Sequence, residues 1–179
     1  MNGGPDPAPV RKATTDDYEA VARLNRQVQT WHAEAYPMVF RPTSPETLTA
    51  AAFEELLVAD EMTVLVALSG VDVIGYLTAR LVERPDTPYT YARRVLYIDQ
   101  ICVDQAARRT GAGRSLVESA LELADEQGIS RVELDTWASN ADARAFFESL
   151  GFGAHNIRLS LDRAATAGAP PTEGLRERH

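Results

Sequence analysis

The spacing of hydrophobic residues switches along this chain between alternation and helical spacing, and each switch predicts the boundary of an element. Six alternating or β-branched segments predict strands over residues 10–13, 62–68, 73–82, 95–103, 131–136 and 157–161. Four segments with helical spacing predict helices over residues 18–36, 44–59, 115–127 and 140–150. A hairpin around Gly70 and a later strand–helix–strand unit predict an α/β fold with a mixed, mostly antiparallel sheet flanked by about four helices.

Residues 95–128 carry the pattern on which the functional prediction depends. A β-branched and aromatic run ends at Val103, a turn with three arginines around two glycines follows, and helical spacing begins at Ser115. The first turn of a helix has N–H groups without partners and the positive end of the helix dipole. Gly111 and Gly113 lack a Cβ, so a ligand can approach the backbone closely. The order of strand, basic turn and helix therefore predicts a phosphate or pyrophosphate site.

Three phosphate-binding patterns compete for this turn. A P-loop requires Lys and then Ser or Thr after its last glycine, whereas Gly113 is followed by Arg114. The dinucleotide fingerprint requires a third glycine where Leu116 stands. A nucleotide-binding oxidoreductase is disfavoured for that reason, and because no strand–helix–strand unit opens the chain. The third pattern, Arg-x-x-Gly-x-Gly, fits residues 108–113.

With this turn in this setting, the chain resembles the GNAT superfamily of acyl-CoA-dependent N-acetyltransferases over roughly residues 10–162. Residues 140–152 are also similar to the family pattern N-x-x-A-x-x-x-Y-x-x-x-G-F. The resemblance implies a GNAT-like fold and acetyl-CoA as cofactor. It implies direct transfer of the acetyl group to a primary amine in a ternary complex, without a metal. One departure is the single strand predicted after the last helix, which leaves the acceptor side more open or completed by a partner subunit.

The resemblance also implies which residues contact the cofactor. The backbone of Ile101 and Val103 would lie against the pantetheine arm, the turn would surround the pyrophosphate, and Asn140 would contact the arm. Read singly, Asn140 is a helix cap and the two strand residues belong to the core. The implied cofactor-binding residues are Ile101, Cys102, Val103, Arg108, Arg109, Thr110, Gly111, Ala112, Gly113, Arg114, Asn140 and Phe147.

Protonation of the leaving thiolate is where the sequence departs from the family. Phe147 stands where the family pattern has a tyrosine that often serves as general acid. Either the thiolate leaves unprotonated or another group donates the proton, and Tyr97 and Tyr36 are the candidates.

Asp99 is the predicted general base or water relay. It lies on the central strand just before the cofactor-contacting residues, where related proteins often carry an acid. A carboxylate inside a sheet is costly unless it faces a wet cleft or is paired. The alternative is therefore a structural salt bridge with an arginine such as Arg93 or Arg94.

Gln100, His32 and Tyr36 are the predicted substrate-side residues. Gln100 lies beside the candidate base and is suited to orienting the substrate. The resemblance implies that the irregular stretch before Pro37 borders the acceptor site, which includes the other two. The pKa of histidine suits proton transfer, and packing near Trp31 is the alternative role for His32.

Length and composition limit the number of domains, the classes of partner and the cellular compartment. A length of 179 residues fits one domain over residues 10–162, with flexible tails predicted over 1–9 and 163–179. A net charge of −8 argues against a nucleic-acid partner and is compatible with amine substrates. Cys102 is the one cysteine, which suits a cytoplasmic protein, and we expect an inert buried thiol rather than an acyl-Cys nucleophile. No apolar run approaches membrane-spanning length, so no membrane partner is expected.

The acceptor is left open by the sequence. Small amines, polyamines, aminoglycosides, amino acids and the amino groups of peptides or proteins all remain, and a homodimer is an expectation from the family. The alternative function is a non-catalytic acyl-CoA-binding regulatory module of the same fold, which the absent hydroxyl at Phe147 favours.

Overall fold

The computed structural model describes residues 7–161 of the chain. In order, it contains β1 (Val10–Lys12), α1 (Tyr18–Ala35), α2 (Ala50–Val58), β2 (Met62–Ser69), β3 (Asp72–Arg84), β4 (Arg93–Val103), α3 (Ala112–Glu126), β5 (Val132–Leu134) and α4 (Ala141–Ser149). This order confirms the predicted one as far as α4. The chain divides into a first unit that ends at Ser139 and a second that begins at Asn140.

The first unit contains a five-stranded sheet in the order β1-β2-β3-β4-β5. Neighbouring strands are antiparallel except β4 and β5, which are parallel because α3 crosses over between them. The β2–β3 hairpin turns at Gly70, whose φ of 61° is in the left-handed region. The predicted mixed, mostly antiparallel sheet is therefore confirmed.

Alternation along the strands divides the core between the two faces of the sheet. On one face, Val66, Tyr76 and Cys102 pack with Leu24 of α1 and Phe53 of α2. Gly75 points to the opposite face, where an added Cβ would lie 3.3 Å from Leu116 Cδ1. The first two helices therefore cover one face, and α3 covers the other. No described helix is both long and apolar enough to cross a membrane.

Two predicted helix starts are wrong. The segment from Ser44 forms only a short 3-10 turn, because Leu48 adopts an extended backbone with φ −138° and ψ 108°. The helix α2 begins after Thr49, whose side chain accepts a hydrogen bond from Ala52 N–H at 3.2 Å. The helix α3 begins at Ala112, three residues before the predicted Ser115.

The strand predicted over residues 157–161 is absent from the structure. Residues 152–161 contain no helix or strand, and Ile157, Leu159 and Leu161 are 77%, 88% and 79% exposed. Alternation predicts a face for burial, but a strand also needs a neighbour for its backbone groups, and no ladder pair in the described part of the chain includes these residues. Of the predicted tails, residues 1–6 and 163–179 lie outside the described residues. Pro9 already accepts a hydrogen bond from Leu68 N–H at 2.8 Å.

Candidate active site

The central strand β4 contains one extra residue, at Asp99. Its neighbours Ile98 and Gln100 pair with the adjacent residues Ala79 and Thr78 of β3, so Asp99 has no partner in that ladder. On the other side of β4, the parallel ladder with β5 ends at the pair of Ile98 and Leu134. From residue 99 to 103, β4 therefore has an edge with no strand beside it among residues 7–161. An extended ligand can add main-chain hydrogen bonds to such an edge.

The turn after β4 leads into a helix start without a side-chain cap. Gly111 precedes α3 with a φ of 95°, a conformation that favours glycine. Ser115 N–H is the first in the helix to find a helical acceptor, Gly111 C=O at 3.0 Å. The N–H groups of Ala112, Gly113 and Arg114 are thus free to bind an anion.

Three exposed arginines surround this helix start. Arg114 forms an ion pair with Glu118 at 3.6 Å, and both side chains are about half exposed, so the pair is weak. Arg108 and Arg109 form no ion pair with any residue in the described range 7–161. Thr110 stabilises the turn itself, because its hydroxyl donates to Ala107 C=O at 2.7 Å. The turn thus combines positive charge with unpaired N–H groups, as a pyrophosphate site requires.

Asp99 forms its ion pair with Arg80 of β3, at 3.3 Å between Oδ1 and Nη2. The partner is an arginine, as the alternative expected, but Arg93 and Arg94 were the wrong examples. Arg80 lies directly across the ladder from Tyr97 and on the same face. Burial raises the pKa of Asp99, whose side chain is 28% exposed, and Arg80 partly offsets that rise. The carboxylate is therefore a better proton acceptor than an exposed aspartate.

Tyr97 lies beside this pair, with the Arg80 guanidinium carbon 5.1 Å from the centre of its ring. Burial and a hydrogen bond with Asp135 raise the pKa of Tyr97 to about 12. The phenol therefore keeps its proton at neutral pH and can act as a donor. The structure brings Tyr97, Asp99 and Arg80 together on one surface of the sheet.

Gln100 belongs to a buried polar network that the sequence did not reveal. Asn25 Nδ2 of α1 donates to Gln100 Oε1 at 2.9 Å and to the Tyr76 hydroxyl at 3.1 Å. The Tyr76 hydroxyl also donates to Gln100 Oε1. Two residues further, the Cys102 thiol donates to Leu24 C=O at 3.3 Å, and burial raises its pKa to about 11, as expected for an inert thiol.

His32 and Tyr36 lie in an aromatic cluster at the end of α1. The His32 ring stacks on Phe40 at 4.7 Å, and the Tyr36 ring lies 4.0 Å from Trp137, the third residue after β5. His32 Nδ1 is buried without a partner among the described residues, and burial lowers the pKa of His32, so its imidazole is neutral at pH 7. Sequence reasoning missed Trp137, because only the fold brings the end of α1 and the segment after β5 together.

In the second unit, Asn140 is the N-cap of α4, and its Oδ1 accepts a hydrogen bond from Ala143 N–H at 3.1 Å. The preceding residue, Ser139 of the first unit, forms a hydrogen bond between its hydroxyl and the Tyr36 hydroxyl. Phe147 packs edge to face with Phe146 and Phe152, at 5.0 and 5.6 Å between ring centres.

Comparisons with known proteins show the family and the fold of the chain. The model of the acetyltransferase (GNAT) family matches residues 25–152. The ribosomal protein bS18-alanine N-acetyltransferase of Escherichia coli is 41% identical over 58 residues, which are 32% of this chain and 39% of that protein. The chain spans less than half the length of the curated relatives that it matches first.

Two solved structures resemble the fold. A tetramutant of BH1408 protein from Bacillus halodurans is 31% identical, and the match covers 86% of this chain and 99% of that one with a TM-score of 0.82. An aminoglycoside N-acetyltransferase solved in complex with CoA is 18% identical, with 87% and 99% coverage and a TM-score of 0.65. At that identity the second match shows the fold alone.

Proposed function

The chain belongs to the acetyltransferase (GNAT) family, and from that premise we propose that it transfers the acetyl group of acetyl-CoA directly to a primary amine. The observation that supports this proposal is the edge of β4 that has no neighbouring strand among residues 7–161 and leads into the uncapped start of α3. Both reactants would be held together in a ternary complex, so that positioning supplies much of the catalysis.

The residues present fit acetyl-CoA. When bound, acetyl-CoA supplies an activated acetyl group as a thioester. The backbone of Ile101 and Val103, beside Cys102, would receive the extended arm by main-chain hydrogen bonds. The N–H groups of Ala112, Gly113 and Arg114 would bind the pyrophosphate, with Arg108 and Arg109 adding charge and Thr110 and Gly111 shaping the turn. We also propose cofactor contacts for Asn140, through the amide nitrogen that its cap does not use, and for Phe147 as an apolar neighbour.

Proton removal from the amine is assigned to Asp99. Its raised pKa supports this role, because a carboxylate that is costly to keep charged accepts a proton more readily. Tyr97 would return a proton to the leaving thiolate, which its protonated state at neutral pH supports. Arg80 would keep both side chains in place through its ion pair and its ring contact.

The acceptor would lie against the α1 side of β4, next to Gln100, His32 and Tyr36. The names of the relatives include enzymes for a ribosomal-protein alanine and for glucosamine 6-phosphate, which supports an amine acceptor without selecting one. We further propose a cytoplasmic setting, which the single buried thiol supports, and a homodimer as the form of the enzyme.

The test is release of free thiol from acetyl-CoA in the presence of a panel of amines. The panel would contain amino acid amides, polyamines, alkylamines and an aminoglycoside, with a reaction lacking amine as control. We expect thiol release that depends on both substrates, together with acetylated amine detected by mass. If acetyl-CoA binds but no amine raises thiol release, the protein is instead the non-catalytic acyl-CoA-binding module.

A further inference from the structure

The Gln100 side-chain amide forms hydrogen bonds through its oxygen but not through its nitrogen in the described part of the chain. Its Oε1 accepts two hydrogen bonds, from Asn25 Nδ2 at 2.9 Å and from the Tyr76 hydroxyl. Its Nε2 has no partner among residues 7–161. The unpartnered buried side-chain atoms of those residues are Asn25 Oδ1, Gln27 Oε1 and His32 Nδ1. Since Gln100 Nε2 is not one of them, it is not fully buried, and a ligand beside the strand can reach it.

The buried partners determine which way this amide points. Tyr76 is 1% exposed, and burial raises its pKa, so its hydroxyl remains a donor. Turning Gln100 over would place its NH₂ group against the NH₂ group of Asn25, two donors with no acceptor between them. Rotating the amides of both Gln100 and Asn25 by 180° would place the Asn25 NH₂ group where its unpartnered Oδ1 now lies. Two buried donors without acceptors would then replace one buried acceptor without a donor, which costs more free energy. The network therefore directs the Gln100 NH₂ group outward.

The position of that NH₂ group relates it to the reaction. Gln100 is the residue after the bulge at Asp99, and its side chain is on the face of β4 that α1 covers. The turn that would bind pyrophosphate leads into α3, which covers the opposite face. In a direct transfer the amine must reach the thioester from the side that the cofactor leaves open, which is the side of Gln100 and Asp99.

We propose that Gln100 Nε2 is a fixed hydrogen-bond donor to an oxygen that the acceptor carries next to its amino group. Asn25 and Tyr76 are its positioning residues. The acceptor class is therefore amines that carry an oxygen acceptor next to the amino group, such as amino acid amides and the N-termini of peptides, in preference to simple alkylamines. This inference rests on the proposed acetyl transfer and adds a specificity determinant to it.

The test compares L-alaninamide with isopropylamine, which has a methyl group in place of the carboxamide. Gln100→Glu keeps an oxygen for Asn25 and Tyr76 but removes both N–H donors. We expect the ratio of kcat/KM for the two amines to fall about fivefold to tenfold, since one hydrogen bond contributes about 1 kcal/mol. The dissociation constant of acetyl-CoA should stay within about twofold of wild type. Gln127→Glu, the same chemical change at the end of α3, should alter neither quantity.

Tyr76→Phe provides a second variant should Gln100→Glu fail to fold. It removes one of the two bonds that orient the amide, so the ratio should fall by about threefold, mainly through KM for alaninamide. An unchanged ratio in folded variants would overturn the inference, even if their melting temperatures fall. Equal loss of acetyl-CoA affinity would also overturn it, because Gln100 would then serve the cofactor. Wild-type turnover of isopropylamine equal to that of alaninamide defeats this inference alone, and no turnover of any amine defeats the proposed function as well.

Discussion

At the scale of single residues, burial and charge oppose each other at Asp99. Burial raises its pKa, and the Arg80 ion pair lowers it by less. A folded pKa above the unfolded value means that folding disfavours the charged form. Ionised Asp99 therefore reduces stability at neutral pH, and this cost disappears as the pH falls below the folded pKa.

Asp99→Asn tests this balance. The variant keeps the shape of the side chain but cannot take a proton, so turnover should fall about 10²–10⁴-fold with acetyl-CoA affinity nearly intact. The acidic limb of the pH–rate profile should flatten. The melting temperature should not fall, since a costly charge is removed. Glu83→Gln is the matched control, because Glu83 also pairs with an arginine of the sheet, Arg94 at 3.9 Å, but is exposed.

The opposite pair of results would identify a structural salt bridge. If Asp99→Asn unfolds at a lower temperature yet keeps its rate across pH, Asp99 is not the base. His32, neutral and with an unpartnered Nδ1, would then be the next candidate.

From the sequence, the chemical role of these residues could be predicted, but the residues that they contact could not. Asp99 was identified as a polar residue inside a strand, and Arg80 was missed as its partner because the pairing depends on strand register across the bulge. Asn25 was missed for a related reason. A single polar residue on a helical face gives no signal until the fold brings Gln100 and Tyr76 to it.

At the scale of elements, the turn between β4 and α3 depends on the backbone of Gly111. Gly111→Val puts a branched side chain at a φ of 95°, where it is strained and also blocks approach to the first N–H groups of α3. We expect affinity for acetyl-CoA to fall at least about tenfold, as measured by titration calorimetry.

Gly128→Val is the matched control for this variant. Gly128 lies just after the other end of α3 and also has positive φ, 66°, with no atom within 4 Å of an added Cβ. It should lower stability by a similar amount and leave affinity for acetyl-CoA unchanged. Equal affinity in the two variants would show that the pyrophosphate binds elsewhere.

Most elements could be predicted from hydrophobic spacing, and the errors occur where spacing is a weak signal. The two helices with wrong starts are set by backbone conformations at Leu48 and Gly111, which hydrophobic spacing does not encode. The segment at 157–161 has the alternation of a strand but no neighbour to pair with in the described residues. Periodicity thus predicts which face is apolar, and tertiary contacts decide whether the element forms.

At the scale of the whole molecule, the proposed cofactor should be visible in the unfolding transition. A ligand that binds only the folded state adds about 2.7 kcal/mol to stability at a hundred times its dissociation constant. Acetyl-CoA should therefore raise the melting temperature, whereas NAD should do much less. ATP should also do much less, because it lacks the arm that would pair with the edge of β4. Equal stabilisation by ATP would contradict the acyl-CoA assignment.

The extra residue in β4 also affects how this chain can change in length. Successive residues of β4 point to alternate faces of the sheet, and Asp99 is one residue inserted into this alternation. Deleting Asp99 would make Ile98 and Gln100 consecutive residues opposite Ala79 and Thr78. All remaining β4 residues would keep the faces that they have now. A deletion elsewhere in the β3–β4 ladder would instead shift the strand register by one residue. Core residues beyond the deletion would then point outward. The bulge is thus a point at which the gene can lose one codon, that of the proposed base, and keep the core, so the edge of β4 can change without a change of fold.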